Sequence, residues 1–208
     1  IVRAWIGRSG DTPPERLPDT VERYTLSGEL FRELDVNGTH APMILVDIPP
    51  FGTFPDMEDH EGPILLVPFQ DPSNVGAVIR SAAAFGVGTV MILREAAAPF
   101  HPKSVRAGGT ALFLTHLIDG PSIKDVCGEL GIPVVALSME GEPIESFEFP
   151  HRYALLPGVE GPGLPDGMKP DHTVRISMEP GVESLNAATA AAIALYEWKR
   201  RKNRINGS

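Results

Sequence analysis

The sequence predicts an α/β domain with a mostly parallel sheet and helices on both faces, preceded by a smaller N-terminal segment. Short, wholly apolar runs of strand length recur from residue 63 onwards, and helix-patterned segments stand between them. Strands buried on both faces and alternating with helices make that architecture. The length, 208 residues, suits one sizeable domain or a domain with an appendage.

Residues 1–60 read as an irregular lead-in. Asp11-Thr12-Pro13-Pro14 and Pro49-Pro50-Phe51-Gly52 break the chain, and Asp56 to Glu61 is acidic and turn-like. Ser27 to Leu34 reads as a short helix and Met43 to Ile48 as a strand, together the remnant of a small α/β module or an arm. The main domain, residues 61–208, opens on the strand Ile64-Leu65-Leu66-Val67. Ser73 to Phe85 is a helix with Val75, Val78, Ile79, Ala82 and Ala83 on one face. Thr89–Leu93, Ala111–Leu117, Ile132–Leu137, Arg152–Leu156 and Thr173–Ile176 continue the strands. Ser122–Leu130 and Ser184–Lys199 supply helices, each opened by a serine suited to capping.

Glycine and proline, 21 of each, make about a fifth of the chain and call for many tight turns. No apolar run reaches the ~18 residues of a membrane span, and no signal peptide opens the chain. A start at Ile1 rather than Met leads to the expectation of a processed or trimmed fragment. One cysteine, Cys127, reads as core and allows no internal disulfide, so a reducing, cytoplasmic home is expected. The net charge is −9: −6 over residues 1–60, −8 over 61–198, and +5 over the tail Lys199 to Arg204. Nucleic-acid binding therefore has to be local. The tail reads as a solvated helix end, where cations suit the dipole.

Three segments carry candidate chemistry. The first, Asp71-Pro72-Ser73-Asn74-Val75-Gly76-Ala77-Val78-Ile79-Arg80, leaves a strand and opens a helix, which sets Asn74 in the crevice where α/β folds hold ligands. A plainer reading makes Asp71 or Ser73 a cap, Gly76 a packing contact and Arg80 a surface residue. The second, Leu155 to Leu164, runs from a strand into Gly158, Glu160, Gly161 and Gly163 with Pro157 and Pro162. No Gly-Lys-Ser/Thr follows, so it lines a pocket with main chain rather than cradling phosphates. The third, Val174 to Ala190, brings Ser184, Leu185 and Asn186 to the head of the last helix. The six histidines show no ligand spacing, and no metal is expected.

In this order and spacing the three segments resemble the SpoU family of RNA ribose methyltransferases, within the SPOUT superfamily. The matches are Asn74 and Arg80, then Gly158, Glu160 and Gly163, then Ser184, Leu185 and Asn186, over residues 63–198. Leu26 to Val46 weakly resembles the end of the small substrate-binding module that precedes this domain in relatives. Ser177 stands where a proline is common, Ala187-Ala188-Thr189 replaces Val-Ser-Val, and Gly108-Gly109-Thr110 replaces a serine-glycine pattern.

The resemblance implies a C-terminal trefoil knot and an S-adenosylmethionine site made largely of main chain. Mapped onto this chain, that site takes Leu137 and Ser138, then Leu155, Pro157, Gly158 and Gly163, then Ile176, Met178, Leu185 and Asn186. It implies methyl transfer to a ribose 2′-hydroxyl of tRNA or rRNA, with Arg80 orienting the ribose and Asn74, Glu160, Ser184 and Asn186 around it. A homodimer built partly on the alanine-rich last helix is also expected. The alternatives are a non-catalytic RNA-binding relative of the same fold and a Rossmann-type enzyme using another nucleotide.

Overall fold

The computed structural model describes residues 1–53, 62–158, 163–165 and 167–206. The chain divides into two compact units, Ile1–Pro50 and Phe51–Ser208.

In the first unit, strands β1 (Val2–Arg8), β2 (Glu22–Leu26) and β3 (Met43–Val46) make a sheet in the order β2-β1-β3, with helix α1 (Gly28–Leu34) after β2. The helix and β3 are where the sequence puts them, and the Ser27 hydroxyl caps α1 by accepting from the Leu30 amide. Strands β1 and β2 are additions. β2 is an exposed edge, Glu-Arg-Tyr-Thr-Leu, with no apolar face to betray it. β1 buries Ala4 and Trp5. The Trp5 ring lies over Gly7, where a side chain would overlap it. The expected acidic turn from Asp56 to Glu61 lies outside the described residues.

The second unit contains strands β4 (Gly62–Val67), β5 (Thr89–Ile92), β6 (His116–Asp119), β7 (Val134–Pro143), β8 (Arg152–Leu156) and β9 (His172–Arg175). They form one sheet in the order β6-β5-β4-β8-β7-β9, and every pairing is parallel. Its helices are α2 (Pro72–Phe85), α3 (Pro102–Gly108), α4 (Ala111–Leu114), α5 (Val126–Glu129) and α6 (Ala187–Asn206). The two-residue period of β4 divides the core between the sheet faces. Leu65 and Val67 pack with Val75, Val78 and Ile79 of α2 and Ala191 and Leu195 of α6. Ile64 and Leu66 pack with Val126 of α5, Ile123 and Leu130. Helices thus cover both faces.

Asp71 caps α2, its carboxylate accepting from the Ser73 amide at 2.8 Å, and Pro72 takes the first helical turn. Several boundaries differ from expectation: β7 runs on to Pro143 and α6 to Asn206, and α3 is a helix where none was expected. Ala111 to Leu114 is a turn of helix rather than the start of a strand, because a short apolar run fits either state and Leu117 and Ile118 already fill the strand's core positions. The helix expected over Ser122–Leu130 is the single turn α5, and the Ser122 hydroxyl donates to Glu95 instead of capping it. The last helix begins at Ala187, not Ser184, and its cap is Asn186, whose Oδ1 accepts from the Thr189 amide at 3.1 Å.

The basic tail is not a merely solvated helix end. Arg201 donates to the carbonyl oxygens of Ile144, Glu145 and Phe147, so α6 is pinned to the β7–β8 connection. Glu197, 9% exposed, accepts from Arg200 and Arg201, and these hydrogen bonds hold its carboxyl down to about 2 from an ordinary 4.5. A carboxylate depressed on folding contributes stability that is complete above its unfolded value and is lost as pH falls through the folded one. Glu197→Gln is expected to lower stability at pH 7 by about 1–3 kcal/mol. It should also flatten the loss of stability between pH 4.5 and about 2. Denaturant titrations across that range check it, and a variant with the parent's acid limb contradicts the assignment.

Candidate functional site

Parallel strands deliver loops to one end of the sheet, and a cavity lies where three of those loops meet. It has a volume of about 1010 Å³. Leu137, Ser138, Met139 and Glu140 of β7 form one wall, Gly158, Gly163 and Leu164 another, and the segment from Thr173 to Ala187 the third. Leu137, Leu164, Met168, Ile176, Met178 and Leu185 give it an apolar lining fit for a flat ring.

An irregularity in β7 makes room for the first wall. Leu137 and Glu142 both stand opposite Val174 of β9, so the intervening residues bulge out of the ladder. Gly141 sits in that bulge against bare backbone: an added Cβ would lie 2.5 Å from the Thr173 carbonyl carbon and oxygen and from the Val174 nitrogen. Arg175, half-buried in the third wall, donates Nη1 to the Gly141 carbonyl and closes the bulge from β9. In the second wall Gly163 has φ +79°, and a Cβ on Gly158 would lie 3.4 Å from its backbone. Both glycines keep this wall main chain.

The first and third sequence motifs meet here. Asn186 Nδ2 donates to Asn74 Oδ1 at 3.2 Å, across 112 residues of chain. The Asn186 Oδ1 is meanwhile committed to the start of α6, so one side chain both opens the helix and orients the Asn74 amide. Ser184 and Leu185 line the cavity just ahead of it.

Of the expected cofactor residues, Leu137, Ser138, Gly158, Gly163, Ile176, Met178, Leu185 and Asn186 line the cavity. Leu155 and Pro157 do not: Leu155 is fully buried in the core with α2 and α6, and Pro157 is buried. Glu160 lies outside the described residues. Arg80 projects from α2 as an exposed side chain outside the cavity lining, in no salt bridge among the described residues. Met168, Pro170 and Thr173 line the cavity without any signal in the sequence pattern that marks them, and Arg175 joins them from the third segment without having been expected at the site. Among the described residues no group of three or more His, Cys, Asp or Glu could hold a metal ion.

A model of the SpoU rRNA Methylase family matches residues 63–196. The chain is 48% identical, over 95% of its length, to the Ribosomal RNA small subunit methyltransferase G 2 of Syntrophobacter fumaroxidans, but spans only 39% of that relative. It is 31% identical to the 23S rRNA (uridine(2479)-2'-O)-methyltransferase of Streptomyces viridochromogenes, over 89% of this chain and 69% of the relative. Among solved structures it superposes on the SpoU methyltransferase AviRb from Streptomyces viridochromogenes, in complex with the cofactor AdoMet, with a TM-score of 0.81. That match has 27% identity and covers 97% of this chain and 83% of the other.

Proposed function

The chain belongs to the SpoU rRNA methylase family, and from that membership we propose that it is an S-adenosylmethionine-dependent methyltransferase acting on a ribose 2′-hydroxyl of ribosomal or transfer RNA. The observation that carries the proposal is the Asn74–Asn186 hydrogen bond, which joins the first and third motifs at the rim of a cavity walled by the second.

The cavity's residues suit the methyl donor. Leu137, Ile176, Met178 and Leu185 offer an apolar slot for an adenine ring, and the Ser138 hydroxyl and the main chain at Gly158 and Gly163 offer polar contacts. When bound, the donor supplies an electrophilic methyl group; the protein supplies orientation and charge. Arg80 is too basic to remove a proton. Its guanidinium instead orients the ribose and its phosphate and stabilises negative charge developing on the 2′-oxygen, whose proton passes to solvent water. Asn74 and Asn186 fix the floor beneath that ribose with Ser184 beside them, and the motif match assigns Glu160 a supporting role.

The same proposal includes a trefoil knot in the C-terminal segment and a cytoplasmic setting. Residues 1–60 serve as the arm or remnant of a substrate-binding module, and residues 61–208 as the methyltransferase domain. It also includes a twofold dimer packed partly through α6, where Ile193 and Tyr196, one turn apart, stand 36% and 55% exposed. Light scattering at micromolar concentration should return twice the chain mass.

Calorimetric titration should show binding of S-adenosylmethionine and none of NAD, and labelled methyl groups should pass from the donor to RNA. Binding of NAD alone, or donor binding without transfer, overturns the reading.

Asn186→Asp gives a sharper test of the site. Aspartate keeps the oxygen that caps α6 and loses the donor to Asn74. The variant should melt close to the parent yet transfer methyl groups about tenfold more slowly, the worth of one hydrogen bond. An unchanged rate would remove the pair from the site.

A further inference from the structure

The charge of this molecule is segregated. From Pro72 to Ile118 the chain carries Arg80, Arg94, Lys103 and Arg106 against a single acid, Glu95. That stretch is +3 in a molecule of −9, which leaves −12 for everything else. The one acid is engaged: Glu95 is half-buried, and its carboxylate accepts from the Ser122 hydroxyl and the Ile123 amide. Arg80, Arg94 and Lys103 are exposed and take part in no salt bridge among the described residues.

Folding gathers most of these cations. Helix α3 crosses α2 so closely that a Cβ on Gly76 would lie 2.1 Å from the Ser104 carbonyl oxygen. Lys103 and Arg106 flank that crossing as exposed side chains, and Arg80 follows Gly76 by about one helical turn. Beside them α4 exposes apolar surface that a solvated face has no use for, Phe113 at 49% and Leu114 at 77%. The Phe113 ring is propped by Phe100, with centroids 5.7 Å apart.

We propose that this face of α2, α3 and α4 docks the RNA that flanks the reacting ribose, with Lys103 and Arg106 on its phosphates and Phe113 as a platform for an unpaired base. The inference rests on the RNA methyltransferase reading above. Two arguments support it. A polyanion approaching a strongly acidic molecule is steered to its cationic regions, of which this face is one. The tail Lys199 to Arg204, whose Arg200 and Arg201 are held by Glu197 and by carbonyl oxygens, is another. A half-exposed aromatic ring on a helix packed beside a cationic one is also the combination that recognises unpaired nucleotides, by stacking and phosphate contact together.

The test measures binding of the full chain to a fluorescein-labelled RNA stem-loop by anisotropy over a series of salt concentrations. Each lost contact to single-stranded phosphate should reduce the slope of log K against log salt by about 0.7. Lys103→Gln should therefore lower it by about 0.7, and the pair Lys103→Glu and Arg106→Glu by about 1.4 with at least tenfold weaker binding. Phe113→Ala should weaken binding about fivefold or more. Lys124→Glu, beside α5 on the other side of the sheet, should bind like the parent. All should keep the parent's melting midpoint and its affinity for S-adenosylmethionine. Parental affinity and slope in Lys103→Gln and in the double variant overturn the docking surface. A parent chain that binds the stem-loop through these residues but transfers no methyl group supports the surface and overturns the methyltransferase reading.

Discussion

Arg80→Ala is expected to slow methyl transfer by about a thousandfold while S-adenosylmethionine binds as tightly as to the parent. The split follows from placement. Arg80 stands exposed on α2, outside the lining of the cavity proposed for the methyl donor, so removing it takes away no cofactor contact. In the role proposed for Arg80, what the substitution takes away is a fixed positive charge where the 2′-oxygen gains negative charge, and such charges contribute most in the transition state. Arg80→Lys should recover only part of the rate, because an ammonium lacks the planar fork that engages ribose and phosphate together. Single-turnover rates and calorimetric affinities on the same preparations check this. A parallel fall in both quantities would place Arg80 in the cofactor pocket and contradict the role assigned to it.

Gly141→Ala is the second substitution with a large expected effect. Its Cβ would stand 2.5 Å from three backbone atoms of Thr173 and Val174. No side-chain rotation relieves a clash with main chain, so β7 and β9 must move apart or the bulge must unwind. A loss of about 2–3 kcal/mol in stability is expected, in the range of overpacked cores. The Gly141 carbonyl also holds Arg175, and Thr173, Val174 and Arg175 line the cavity, so donor affinity should fall at least tenfold. Denaturant titration and calorimetry read the two effects separately. Parental values in both would mean that the β7 bulge does not shape the site.

The parallel sheet was legible because its strands are buried on both faces and read as unbroken apolar runs, as Ile64 to Val67 does. β2 was not legible, being an edge strand whose side chains meet water. Ala111 to Leu114 misled for the opposite reason: four residues without a polar interruption satisfy helix and strand equally. The candidate site divides along the same physical line. Residues proposed to act through side-chain chemistry, Asn74 and Asn186 above all, stood out, and the fold joins them by a hydrogen bond. Residues that contribute shape or main chain, such as Gly141 in the bulge and Met168 and Thr173 in the lining, leave no pattern in the chain. Arg201 shows a further blind spot. A cation in a basic tail reads as solvated until the carbonyl oxygens of Ile144, Glu145 and Phe147 are found around it.

The most direct measurement is of where the methyl group goes. RNA incubated with the protein and isotopically labelled S-adenosylmethionine, digested to nucleosides and resolved by mass spectrometry, should carry the label on the ribose as a 2′-O-methyl nucleoside. Arg80→Ala under the same conditions should leave the RNA unlabelled. Label on a base, or labelled ribose made equally well by Arg80→Ala, would contradict the mechanism proposed for this site.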